Sequence, residues 1–286
     1  MGLSSNVLWH QTKKDGLKGI INDKCLYLSY SVEDITSANY DVSFAYPMVS
    51  VCDLPLAETG DFLKRYGGYT IGFSSDWGKR NHFSSVWYCD KNSIALGTLL
   101  SMLGQKISSF SDRIELDEDY QKIVYILSYI KQYEGALPKR HYKKYRFYDE
   151  RELRFVPVYD SLQKIGESPF LWDYDKYKKE HGNSSLLPKS INVPFEWEDV
   201  RYIIVERDDE KKEFNELVAN SSKRSDLNII YLTNKEVRED IIGLNHNIID
   251  KKYDSYTSAD VNLAYGAMEQ ALQQLKEQTL AMLKAK

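Results

Sequence analysis

Three stretches of the sequence carry side chains that could do chemistry. In the first, Leu8-Trp9-His10-Gln11-Thr12, a histidine ends an apolar run and a hydroxyl follows two residues later. Strand periodicity is two, so in an extended backbone His10 and Thr12 project to one side and could hold a polyhydroxyl ligand such as a ribose. The bland alternative is a half-buried histidine at a strand–helix junction, with Thr12 serving as a helix N-cap. In the second stretch, Phe147 to Pro157, Glu150 and Glu152 are spaced i, i+2 and would point the same way from a strand, with Asp149 and Arg151 on the other side. A carboxylate aimed into a cleft can hydrogen-bond a sugar hydroxyl, stabilise a cationic transition state or orient a nucleophile. On an edge strand the same charges would only pair with a neighbour, for ~0.2–1 kcal/mol per pair. The third stretch interleaves Lys139, Arg140, Lys143, Lys144 and Arg146 with Tyr142 and Tyr145. That is the composition of a nucleic-acid groove, and equally of a solvated basic loop in an acidic chain.

The elements around these stretches must position them. Hydrophobic spacing predicts a strand at Asn6–Gln11, a helix from Thr12 to Asp23 with Leu17, Ile20 and Ile21 on one face, and a strand at Cys25–Ser29 with Tyr27 opposed to Leu26 and Leu28. A continuous apolar strand follows at Tyr46–Leu54, then a helix at Glu58–Tyr66 stopped by Gly67 and Gly68. Strands at Tyr69–Phe73 and Ser85–Cys89 flank a polar turn at Ser75–Asn81. Between Asn92 and Glu134 the period changes to 3.6, with Leu96, Leu99, Leu100 and Leu103 on one helix and Ile123 to Ile130 on a second. Glu152–Val158 is a strand, and Val200–Leu244 alternates strand, helix, strand, helix, an order that suggests strands joining the same sheet or a small second lobe. A polar linker at 251–258 leads to a last helix with Val261, Met268, Leu275 and Met282 spaced by sevens, a surface for a second copy or a partner.

Composition narrows the classes. Hydrophobic residues at 42% and charged residues at 28% exclude wholesale disorder, collagen and rods. A net charge of −4 leaves no whole-chain attraction to nucleic acid or anionic membrane. No apolar run approaches the ~20 residues that span a bilayer, and no secretory leader pattern is visible at the N-terminus. The three cysteines, Cys25, Cys52 and Cys89, lack metal-ligand spacing, and no histidine has a metal-ligand partner, so reduced thiols, no metal and a soluble cytoplasmic protein are expected. Tyrosine is in surplus, 22 against 10 phenylalanines. Tyr27, Tyr30, Tyr40, Tyr66, Tyr69, Tyr142, Tyr145, Tyr148 and Tyr159 fall in or near the stretches above, which points to a tyrosine-lined cleft rather than to compositional bias alone.

The run LWHQTKKDGLKGIINDKCLYLS resembles the opening of ADP-ribosyltransferases of the His-Tyr-Glu type and of DarT-like enzymes. The resemblance implies that His10, Gln11 and Thr12 hold NAD, that Tyr27, Tyr30 or Tyr40 stacks on the nicotinamide ring, and that Glu150 or Glu152 is the catalytic glutamate. Gln11 stands where that family often has glycine. The motifs YPMVSVCDLPL, YGGYTIGFSSDW, FYDERELRFVP and VRYIIVE, in that order, resemble the AbiGi family of abortive phage-infection proteins over roughly residues 7–240, with Leu153 where tryptophan is usual. That family is labelled an antitoxin in phage defence. The two resemblances are compatible if an AbiGi domain is a divergent ADP-ribosyltransferase fold.

The expected fold is α+β: a mixed, strand-rich sheet core, ADP-ribosyltransferase-like by resemblance, with a helical insertion at about 92–134. One domain would span 1–250, with 251–286 as linker and C-terminal helix. Two functions follow. The first is an enzyme of phage defence transferring ADP-ribose from NAD to a macromolecule, nucleic acid ahead of protein, with residues 139–146 as the nucleic-acid contact. The alternative is a non-catalytic AbiGi-type antitoxin that binds a cognate toxin.

Overall fold

The computed structural model describes residues 6–40, 42–56, 58–59, 68–109, 114, 117–137, 142–171, 175–176, 179, 187 and 191–238. The expected C-terminal helix with its linker, and most of the expected helix at Glu58–Tyr66, lie outside them.

The protein is α+β. Strands β1 (Val7–Thr12), β3 (Ser29–Asp34), β4 (Ser43–Cys52), β5 (Tyr69–Ser74), β6 (Ser84–Ser85), β11 (Glu152–Phe155), β13 (Val200–Val205) and β14 (Ile230–Thr233) form one mixed sheet. Its order is β14-β13-β5-β1-β4-β11-β6, with β3 also paired to β4. β13 and β14 run parallel. Helix α5 (Asp208–Ser222) lies between them in sequence, the crossover that a parallel pair requires. Both therefore join the main sheet rather than a second lobe.

Helices cover the sheet because its strands alternate. Helix α1 (Lys14–Asp23) brings Leu17, Ile20 and Ile21, and α5 brings Phe214 and Val218, onto Leu8, Ile71, Phe73 and Ile203. Helices α3 (Ile94–Ser109) and α4 (Glu118–Leu127) bring Leu96, Leu100, Leu103, Ile123, Val124 and Leu127 onto a separate core. β4 belongs to both: Val49 and Val51 face the first, Phe44, Tyr46 and Met48 the second. Each fully buried aliphatic side chain contributes ~1.5–3 kcal/mol.

Several local expectations change. Thr12 does not cap α1: it stays in the ladder opposite Tyr69, the helix starts at Lys14, and the N-cap position is Lys13 with no side-chain cap bond. The expected strand Cys25–Ser29 divides into β2 (Cys25–Leu26), which pairs with β12 (Val193–Pro194), and β3. The expected polar turn at Ser75–Asn81 is instead helix α2 (Ser75–Arg80). Ser74 caps it by accepting from the Trp77 amide, and Trp77 is driven inward to stack on Phe73 at 4.2 Å. The second insertion helix ends at Leu127, because Ile130 opens β8 (Ile130–Gln132) and pairs with Trp87 of β7 (Trp87–Cys89). β11 ends at Phe155 rather than Val158. Strands β9 (Glu134–Leu137) and β10 (Tyr142–Arg146) pair antiparallel, β10 coming from the basic stretch. No helix among the described residues is long and apolar enough to cross a membrane.

Candidate functional site

β1 runs the whole length of β5 but meets β4 at one pair, Trp9 opposite Cys52. Past that pair a side chain replaces the ladder: His10 Nδ1 lies 3.0 Å from the Ser50 carbonyl oxygen. A cleft of about 280 Å³ opens there, with His10 and Gln11 on one side, Ser29, Ser31 and Glu33 of β3, Ser50 and Cys52 of β4, and Tyr27 also in its lining. Lys131, Glu150 and Glu152 complete it.

The two glutamates converge, though not by strand alternation. Glu150 ends a 3-10 turn, Phe147–Glu150, and Arg151 adopts a left-handed backbone (φ 44) before β11 begins. That kink turns both carboxylates onto one ammonium: Lys131 Nζ is 2.8 Å from Glu150 and 2.5 Å from Glu152. Glu152 also accepts from Arg154 Nε and from the Ser50 hydroxyl, each at 2.6 Å. Arg154, fully buried, reaches Glu33 at 2.8 Å and the Ser128 carbonyl at 2.8 Å. Burial alone would raise the Glu152 pKa, but the Arg154 guanidinium and the Lys131 ammonium override it and hold this carboxyl well below the usual range. Glu33 goes the other way, raised by burial against the pull of Arg154 and Lys131. Cys52 is pushed well up by burial and by Glu152 and Glu150, so it rests as a thiol.

Burial lowers the His10 pKa, partly opposed by its bond to the Ser50 carbonyl. A carbonyl only accepts, so Nδ1 carries the proton and Nε2 is left as an acceptor. The unfolded chain binds the proton more readily than the native one. Stability contributed by His10 is therefore complete above its unfolded value of ~6.5 and lost as pH falls below it. Urea midpoints taken from pH 7 down to pH 5 should fall more steeply for the wild type than for His10→Asn. Parallel curves would remove this assignment.

The expected site residues divide. His10, Gln11, Tyr27, Glu150 and Glu152 share the cleft. Thr12 is outside its lining, its hydroxyl lying against Gly16. Tyr30 points into the first core and donates to the Ser168 carbonyl at 2.7 Å, because it alternates with the cleft-facing Ser29 and Ser31. Tyr40 bridges to Ser37 and is not part of the lining. The tyrosine lining narrows to Tyr27, whose hydroxyl donates to Asp23 at 2.5 Å; Tyr69 and Tyr145 are buried, Tyr69 on Glu210. Of the basic stretch, Lys139 and Arg140 and the side chain of Lys143 lie outside the described residues. Lys144 pairs with Glu134 at 2.8 Å and Arg146 with Asp149 at 2.7 Å, so these two cations are neutralised locally. Lys131, Arg154, Glu33 and Ser50 escaped the sequence reading. Arg154 was the detectable one, a charge set among Leu153, Phe155 and Val156.

The family model described as "Putative abortive phage resistance protein AbiGi, antitoxin" matches residues 24–206. The match takes in Tyr27, β3, β4, Lys131, Glu150, Glu152 and Arg154 and leaves His10 and Gln11 outside it. No curated protein and no solved structure matches the chain. Covering well over half of the 286 residues, the match settles the relationship: the chain belongs to the AbiGi family of abortive phage resistance.

Proposed function

We propose that the protein is a phage-defence antitoxin that neutralises a partner toxin by binding it. The family match carries this reading. The state of the two expected catalytic carboxylates supports it. Glu152 already receives Ser50, Lys131 and Arg154, and Glu150 is 3% exposed and bonded to Lys131. Proton or group transfer through Glu152 would first have to dismantle a buried network, which fixes structure more readily than it reacts. In the test, an adjacent gene that arrests growth when expressed alone is co-expressed with this chain. Restored growth and co-elution of the two products are expected; undiminished arrest would end the reading.

A second reading, ADP-ribosyl transfer from NAD, is favoured by the shared cleft of His10, Gln11, Tyr27, Glu150 and Glu152. At about 280 Å³ the cleft is at the small end of ligand sites, but a second of about 650 Å³ shares Ser31, Glu33 and Lys131 with it and adds room for a dinucleotide. NAD would be the substrate. Tyr27 would face its ring, His10 its ribose hydroxyls and Glu150 the cationic sugar, and a nucleic-acid acceptor would approach along 139–146. Labelled NAD incubated with total RNA, DNA and protein tests this. Transfer that is lost in Glu150→Gln supports it, and the lack of label on any acceptor removes it.

A further inference from the structure

We infer that Gln11 is the recognition residue of the cleft for a planar ligand that carries an N–H donor beside a C=O acceptor, an aromatic carboxamide or the amide edge of a nucleobase. The side-chain Nε2 and Oε1 of Gln11 are both buried, and neither has a hydrogen-bond partner among the described residues. Directly across the ladder from Gln11, Thr70 is fully buried with an unpartnered hydroxyl. Three of the seven such atoms among the described residues thus sit in one cross-strand pair, which marks this point of the sheet as unfinished. Leaving a buried polar group unpaired costs ~1–3 kcal/mol, and folded proteins rarely tolerate it without a use.

The chemistry of the missing partner follows from the walls. A primary amide presents donor and acceptor side by side, so its complement is another amide edge making two parallel hydrogen bonds. The ring of Tyr27 in the lining favours a flat ligand. Three carboxyl groups, Glu33, Glu150 and Glu152, stand against two cations, Lys131 and Arg154, which disfavours an anion. The site goes beyond toxin binding and requires no transfer chemistry.

Calorimetry and thermal unfolding of the full chain with nicotinamide, uridine and nicotinate, on wild type and Gln11→Met, test it. Nicotinamide or uridine is expected to bind the wild type, and which of them binds separates the carboxamide from the nucleobase. Binding should weaken roughly tenfold or more in Gln11→Met, the worth of two lost hydrogen bonds, and nicotinate should not bind. Without ligand, Gln11→Met should be at least as stable as wild type, because an apolar chain of similar length replaces an unpaired amide. Absence of binding by both neutral probes at millimolar concentration, equal binding by Gln11→Met, or binding of nicotinate as tight as nicotinamide would each overturn the inference. So would a loss of stability in ligand-free Gln11→Met, which would mean that an internal water already holds the amide. The growth assay with the toxin reports separately, so either idea can fail alone.

Discussion

Arg154→Met should lower stability at pH 7 by about 3–5 kcal/mol, the usual cost of removing one partner from a buried ionic network. Arg154 is fully buried and is the only residue that ties β11 to Glu33 of β3 and to the Ser128 carbonyl at once among the bonds described. Methionine fills much of its volume but leaves Glu33, Glu150 and Glu152 facing Lys131 alone. The deficit should depend on pH. In the wild type Glu152 is held below its ordinary value, so its stabilisation is present above the unfolded pKa of ~4.3 and lost as pH falls through the folded one. Glu33, raised, contributes in the opposite sense, its share lost as pH rises through its folded value. Without Arg154 both carboxyls favour the protonated form, so the gap between variant and wild type should be widest at neutral pH and shrink towards pH 4. Urea denaturation at several pH values measures it. Adding Glu33→Gln and Glu152→Gln to Arg154→Met should recover much of the loss. A single variant within about 1 kcal/mol of wild type at pH 7 would show that the network is not a structural tie.

Trp9→Ala should cost about 3–5 kcal/mol, the range for emptying a buried tryptophan site. Trp9 is 1% exposed, lies beside Tyr202 with centroids 5.3 Å apart, and donates from Nε1 to the Leu54 carbonyl at 2.6 Å. It also packs against Gly72, where a Cβ would come within 2.7 Å of the indole, so only glycine leaves room for it. Trp9 holds the one residue pair joining β1 to β4, so the truncation should open the cleft as well as weaken the core. Trp9→Phe keeps a ring but orphans the Leu54 carbonyl, and a smaller loss of about 1–3 kcal/mol is expected. Equal urea midpoints for Trp9→Ala and wild type would show that the β1–β4 contact carries no weight.

Much of this fold is legible in the sequence, and the reason differs by element. Leu17, Ile20 and Ile21 repeat at helical spacing, and the apolar run expected at Tyr46–Leu54 marks most of β4 (Ser43–Cys52), because burial imposes a pattern that the residues themselves display. Ser75–Asn81 reads as a turn because its helix is one short capped stretch around a single inward tryptophan, too brief to show a period. The pairing of Glu150 with Glu152 was anticipated for the wrong reason. Alternation along a strand suggested it, whereas a left-handed Arg151 and a lysine nineteen residues upstream produce it. Lys131 itself was unreadable: a lone lysine between Ile130 and Gln132 looks solvent-facing until β8 places it under the carboxylates. Of the three tyrosines offered, Tyr30 falls away because Tyr27, Ser29, Ser31 and Glu33 line the cleft, and its even-numbered place in β3 turns it into the opposite face.

The double allegiance of β4 has a kinetic consequence. Its even-numbered residues Phe44, Tyr46 and Met48 belong to one core and its odd-numbered Val49 and Val51 to the other, so neither core can melt while the strand stays in place. Amide hydrogen exchange along β4 must then wait for global opening, and the two cores protect one another as a single cooperative unit rather than as two that could come apart in turn.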